Sequence, residues 1–88
     1  MFIKSFCFNI YPNYTDDFER ILQILIDKTK EHERPTKFEY KKESNSFFIY
    51  EIWKNEKSFL LHQKTSHYLH FKKARELYVK SKKAIRYN

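Results

Sequence analysis

Phe47-Phe48-Ile49-Tyr50-Glu51-Ile52-Trp53 is apolar on both sides of the strand it would form. Successive side chains of a strand alternate, so Phe47, Ile49 and Trp53 share one face with Glu51, and Phe48, Tyr50 and Ile52 take the other. A strand apolar on both faces needs helices against one of them and a further layer against the other. In a chain of 88 residues, a second copy of the protein is the expected source of that layer.

Working outward, Glu43-Ser44-Asn45-Ser46 reads as a turn, and residues 37–42 as the strand before it. The N-terminal segment Phe2-Ile3-Lys4-Ser5-Phe6-Cys7-Phe8-Asn9-Ile10 alternates, with Phe2, Phe6, Phe8 and Ile10 on one face, which predicts another strand. Between them, Thr15 offers an N-cap hydroxyl, and Asp16, Asp17 and Glu19 suit the positive end of a helix. Phe18, Ile21, Leu22, Leu25 and Thr29 recur at helical spacing, predicting a helix of about 16 residues that stops before Arg34-Pro35. Ile24 and Ile26 widen its apolar face.

Downstream, Asn55 caps a short helix carrying Phe59, Leu60 and His62, and Thr65 caps a longer one reaching about Tyr78. Ala84-Ile85-Arg86-Tyr87 supplies a closing strand. The order β-α-β-β-α-β predicts an α+β fold of the ferredoxin-like kind with an antiparallel sheet, built as one domain over residues 1–88.

Composition excludes several function classes. The chain has no glycine, which removes the P-loop, the dinucleotide fingerprint and the G-x-S-x-G elbow. The net charge of +7 belongs to the second half: residues 1–44 hold eight basic and eight acidic side chains, residues 45–88 ten and three. Most of the excess lies in Lys72, Lys73, Arg75, Lys80, Lys82, Lys83 and Arg86, which reads as a solvated helix face and tail. Cys7 is a lone cysteine within an apolar strand, so no internal disulfide is expected. No basic leader with an unbroken apolar run opens the sequence, and no stretch approaches ~20 apolar residues. The expectation is a cytoplasmic protein without a membrane partner.

The segment from Glu51 to Phe71 carries the pattern E-x-W-x-N…F-x-x-H-x-x-T-x-H-x-x-x-F, formed by Glu51, Trp53, Asn55, Phe59, His62, Thr65, His67 and Phe71. It resembles the antibiotic biosynthesis monooxygenase domain of the dimeric α/β-barrel superfamily. Upstream, Arg34-Pro35-Thr36-Lys37-Phe38-Glu39-Tyr40 is similar to that family's E-P-G-C-x-x-Y segment at Pro35 and Tyr40 only. The resemblance implies a homodimer whose two sheets close into a barrel, with a pocket between sheet and helices in each protomer. It also implies oxygenation of a phenolic or quinol-type aromatic by O₂ with no cofactor.

Such chemistry asks the protein for a base, an apolar pocket and exclusion of water, because an electron-rich phenolate can itself pass an electron to triplet O₂. His62 and His67 are the candidate catalytic bases. Tyr40, Trp53, Phe59 and Phe71 would wall the substrate pocket, and Glu51 would orient a histidine or a substrate hydroxyl. The chain departs from the polyketide-type oxygenases at Ile49, where they carry Asn, and at Phe59, where they carry Tyr. The residues that mark the haem-degrading branch are absent at His62 and near Phe71-Lys72.

Three other readings compete. A buried His67 bonded to Glu51, with Trp53 as core, would be purely structural, leaving a non-catalytic ligand-binding or stress-related dimer. His62, His67 and His70 suggest a metal, but their spacing crosses a helix break and no acidic or cysteine ligand stands nearby in sequence, so none is expected. RNA-recognition domains share the topology, and Ser46-Phe47-Phe48-Ile49-Tyr50 faintly echoes their third strand. They carry glycines that this chain lacks, so no nucleic acid partner is expected.

Overall fold

The computed structural model describes residues 1–85. The alternating N-terminal segment forms β1 (Phe2–Ile10), and the amphipathic stretch forms α1 (Thr15–His32). β2 (Lys37–Glu43) and β3 (Ser46–Trp53) follow as a hairpin, then α2 (Glu56–His62), α3 (Ser66–Ala74) and β4 (Val79–Ile85). The sheet order is β2-β3-β1-β4, antiparallel throughout. This is the predicted α+β, ferredoxin-like arrangement, with β3 seated between the two strands that α1 connects.

Register puts the apolar sets together. Phe8 lies opposite Phe47, Phe6 opposite Ile49, and Tyr40 opposite Ile49 on the other side. These side chains and the buried face of α1, with Phe18 and Leu22 at 0% exposure, make the core. Burial of each such side chain is worth about 1.5–3 kcal/mol relative to leaving it in water. Phe18 contacts Phe8, Phe47 and Phe71 ring to ring at 4.9–5.8 Å, so one helix residue joins two strands and α3.

Among the described residues helices cover one sheet face only, and the chain is 16 Å through its thinnest axis. On the other face lie Ile3, which is exposed, and the half-buried Cys7, Phe48, Ile52 and Ile85. The apolar second face of β3 thus lacks a covering layer within the described residues. No described helix is long and apolar enough to cross a membrane.

Several expectations need correction. Thr15 begins α1 rather than capping it: its hydroxyl donates to Asn45 Oδ1 at 2.8 Å, with the Pro12 carbonyl as the alternative acceptor at 3.2 Å, tying the helix start to the β2–β3 turn. Ile26 is buried but Ile24 is exposed, since 3.6-residue periodicity carries position 24 off the sheet-facing stripe. The second main helix ends at Ala74, not near Tyr78, and a 3₁₀ turn over Arg75–Leu77 leads into the last strand. That strand starts at Val79, so Lys80, Lys82 and Lys83 belong to a sheet edge and not to a helix or tail. Lys82, though exposed, lies over the aromatic edge, its ammonium 4.7 Å from the centre of the Phe6 ring. Of the predicted closing strand, Ala84 and Ile85 fall in β4, while Arg86 and Tyr87 lie outside the described residues.

With no glycine available, Ser44 takes the left-handed conformation at the first central position of the hairpin turn, with φ of 56°. An L-residue there carries a penalty of about 1–2 kcal/mol. Arg34 does the same at φ 51°, its N–H reaching back to the Thr29 carbonyl. This reverses the chain straight after Glu33, ahead of Pro35.

Candidate functional site

Three elements meet at Glu33. α1 ends there, with the Glu33 N–H bonded to the Thr29 carbonyl at 2.8 Å. α2 ends at His62, whose side chain is 1% exposed. α3 contributes His67 from its first turn. One carboxylate oxygen of Glu33 accepts from His62 Nδ1 at 2.8 Å, and the other accepts from His67 Nε2 at 2.5 Å. An ionised carboxylate only accepts, so each of these ring nitrogens carries a proton, and in the neutral imidazole the opposite nitrogen is the one with the lone pair.

The link between α2 and α3 holds this spacing. Thr65 donates its hydroxyl to the His62 carbonyl at 2.7 Å and accepts the N–H of Tyr68, so one side chain caps α3 and anchors the end of α2. His62 is boxed by Trp53, Tyr68 and Phe38, with ring centres 4.8, 5.1 and 5.7 Å away. Burial among these rings pushes its imidazole below the usual histidine range, against the opposing pull of Glu33.

Glu51 takes a different partner from the one expected. It accepts from Trp53 Nε1 at 2.9 Å, and the histidines belong to Glu33. Desolvation raises its carboxyl to about 7, only partly offset by the Trp53 bond and by Lys82. Contrary to expectation, an acidic side chain does stand beside the histidines, contributed by the end of α1 across 29 residues of sequence. Donor atoms of Glu33, His62 and His67 all lie within 4.8 Å of one another.

The remaining candidates divide between two spaces. Glu51, His62, Phe59 and Phe71 border a cavity between sheet and helices of only about 20 Å³. Aromatic side chains, among them Phe8, Phe38 and Tyr68, occupy most of the space where a pocket is expected. The larger space is a groove of about 760 Å³ between α1 and α3, walled by Ile21, Leu25, Lys28, His67, His70 and Phe71. Trp53 is core. Tyr40 lies away from the histidines: its hydroxyl donates to Glu19 at 2.7 Å and accepts from Gln23, and burial raises its pKa.

Glu33, bonded to both histidines, is the candidate site residue that the sequence did not single out. The resemblance expects an acid at position 34, immediately before the proline, and Arg34 stands there. The acid one residue earlier was the available signal.

The family model for antibiotic biosynthesis monooxygenase matches residues 1–74. A Nitrosomonas europaea structure, provisionally described as an antibiotic biosynthesis monooxygenase, is similar with a TM-score of 0.90 at 17% identity, covering 98% of this chain and 86% of that one. The PA3566 structure from Pseudomonas aeruginosa is similar with a TM-score of 0.84 at 21% identity, covering 98% and 91%. A conserved protein from Methanosarcina mazei gives 0.84 at 17% identity, covering 98% and 92%. At these identities the likeness shows the fold. No curated protein sequence matches the chain.

Proposed function

Because the chain belongs to the antibiotic biosynthesis monooxygenase family, we propose that it oxygenates a phenolic or quinol-type aromatic with O₂ and no prosthetic group, with His67 as base. The observation that carries this reading is the Glu33 carboxylate shared between two imidazoles, the outer of which walls the groove between α1 and α3. Glu33 holds the Nε2 proton of His67, which leaves Nδ1 as acceptor for a substrate hydroxyl. It also stabilises the imidazolium that forms, as the carboxylate of a catalytic triad does. His62, buried and bonded to the other oxygen, keeps the carboxylate oriented.

The phenolate then supplies the electrons. It reduces O₂, one oxygen atom enters the substrate and the other leaves as water. Apolar groove walls at Ile21, Leu25 and Phe71 suit a flat ring, and Lys28 and His70 at its rim suit an anionic one.

Oxygen uptake with a panel of hydroquinones and anthrones tests the reading. His67→Ala is expected to bring the rate down by roughly 10²–10⁴-fold, the usual share of a general base. No uptake with any member of the panel, or rates unchanged in both His67→Ala and His62→Ala, refutes it.

The filled space between sheet and helices favours a second reading, a non-catalytic ligand-binding or stress-related dimer. In that case aromatic ligands quench Trp53 fluorescence with no oxygen consumed. Either way, the uncovered sheet face supports pairing of two protomers into a barrel. Sedimentation at micromolar concentration should give a dimer, and a single 11.0 kDa species would exclude it.

A further inference from the structure

We propose that Glu33, His62 and His67 form a binding site for a divalent transition-metal ion of the zinc class, occupied in place of the protons that now bridge them. This goes beyond the oxygenase reading and does not depend on it.

The donor set is the first argument. Two imidazoles and one carboxylate are the ligands that zinc and its neighbours take, leaving a further position for water. The hard cations Ca²⁺ and Mg²⁺ prefer all-oxygen shells, and a site with two nitrogens disfavours them.

Geometry is the second. A cation about 2.0–2.2 Å from each ligand keeps the ligand atoms roughly 3–3.5 Å apart. The two histidine–carboxylate separations, 2.8 and 2.5 Å, are already at or below that spacing. The full set lies within 4.8 Å, so small side-chain rotations suffice. The protons on His62 Nδ1 and His67 Nε2 move to the opposite ring nitrogens, so the exchange balances without an external base.

Preorganisation and access complete the case. The aromatic box around His62 and the Thr65 bridge fix the inner ligand before any ion arrives. Glu33 ends an 18-residue helix, whose C-terminal carbonyls favour a cation. His67 borders the groove, which provides the access route and room for water in the open position. A metal on His67 Nε2 sends that proton to Nδ1, the nitrogen that would accept from the substrate hydroxyl, so a bound ion silences the relay.

The full chain, stripped with a chelator, is titrated with Co²⁺ and then Zn²⁺. One equivalent of Co²⁺ per chain should produce the visible absorption of a low-coordinate nitrogen–oxygen site. Zn²⁺ should displace it and raise Tm. Glu33→Gln and His67→Gln should each weaken binding by more than about 100-fold, whereas His70→Ala should leave it unchanged. Ring-nitrogen NMR of the native chain should show Zn²⁺ on Nδ1 of His62 and Nε2 of His67, which keeps the test independent of whether a His62 variant folds. Absence of saturable binding below millimolar metal, binding insensitive to Glu33→Gln, loss of binding in His70→Ala, or ligation through the opposite ring nitrogens overturns the proposal. Oxygen uptake is measured separately in chelator, so failure of one reading leaves the other standing.

Discussion

Replacing Glu51 by Gln should stabilise the protein at neutral and alkaline pH and leave it nearly unchanged in mild acid. Glu51 is 5% exposed on the core face of β3, and its carboxyl is pushed up to about 7 from 4.5, chiefly by desolvation. Between these values the native chain holds a proton that the unfolded chain has lost. The native state therefore binds more protons, and stability falls as pH rises through the window. The stabilising contribution is complete below 4.5 and gone above 7. An interval of about two and a half pH units at ~1.4 kcal/mol each amounts to about 3 kcal/mol. Gln is nearly isosteric, keeps an oxygen to accept the Trp53 indole N–H, and cannot ionise.

The assay is urea unfolding followed by circular dichroism from pH 4.5 to 8, for both proteins at one fixed concentration, because self-association would shift stability by mass action. The other titrating groups cancel in the difference between the two curves. That difference should grow by about 3 kcal/mol in favour of the Glu51→Gln variant as pH rises. A flat difference would mean that the carboxyl titrates as in water, and a difference of opposite slope would mean that it is held as an anion. Either result refutes the account of Glu51 as a desolvated acid.

Other consequences follow from the same packing. Thr29 is fully buried and its hydroxyl has no hydrogen-bond partner among the described residues, so Thr29→Val should raise unfolding stability by about 1 kcal/mol or more in denaturant titration. Ser44→Gly should stabilise by about 1 kcal/mol in the same assay, because it relieves the left-handed turn position. Tyr40→Phe should leave oxygen uptake unaltered, since the Tyr40 hydroxyl serves Glu19 and Gln23 and not the histidines. A large drop in kcat with intact folding would return Tyr40 to the site.

The elements are legible because their signals are local. Alternation in residues 2–10 and 47–53, the helical stripe from Phe18 to Thr29, and the caps at Asn55 and Thr65 each lie within one helix, one strand or one turn of sequence. The start of the last strand is hidden because Lys80, Ser81, Lys82 and Lys83 carry no apolar alternation; this edge strand is specified by pairing with β1. Thr15 has the chemistry of a cap, but its hydroxyl is claimed by Asn45, a partner 30 residues away.

The site divides along the same line. The Thr65-capped turn keeps His62 and His67 near one another, and the pair can be nominated from the family pattern they fall in. What they bond to cannot. Glu51 sits nearest in the motif, yet its strand turns it to the Trp53 indole, while the end of α1 delivers Glu33 between the two rings. The expected pocket under the helices is equally a matter of three dimensions, because Phe8, Phe38 and Tyr68 come in from other elements and occupy most of that space. By itself, the sequence determined the order of elements and the two-faced strand, which follow from periodicity and short-range steric rules, and its family pattern pointed to the pair of histidines. Tertiary structure alone decided which acid serves those histidines and where open space remains, since both depend on how helix ends and side-chain volumes meet across long stretches of chain.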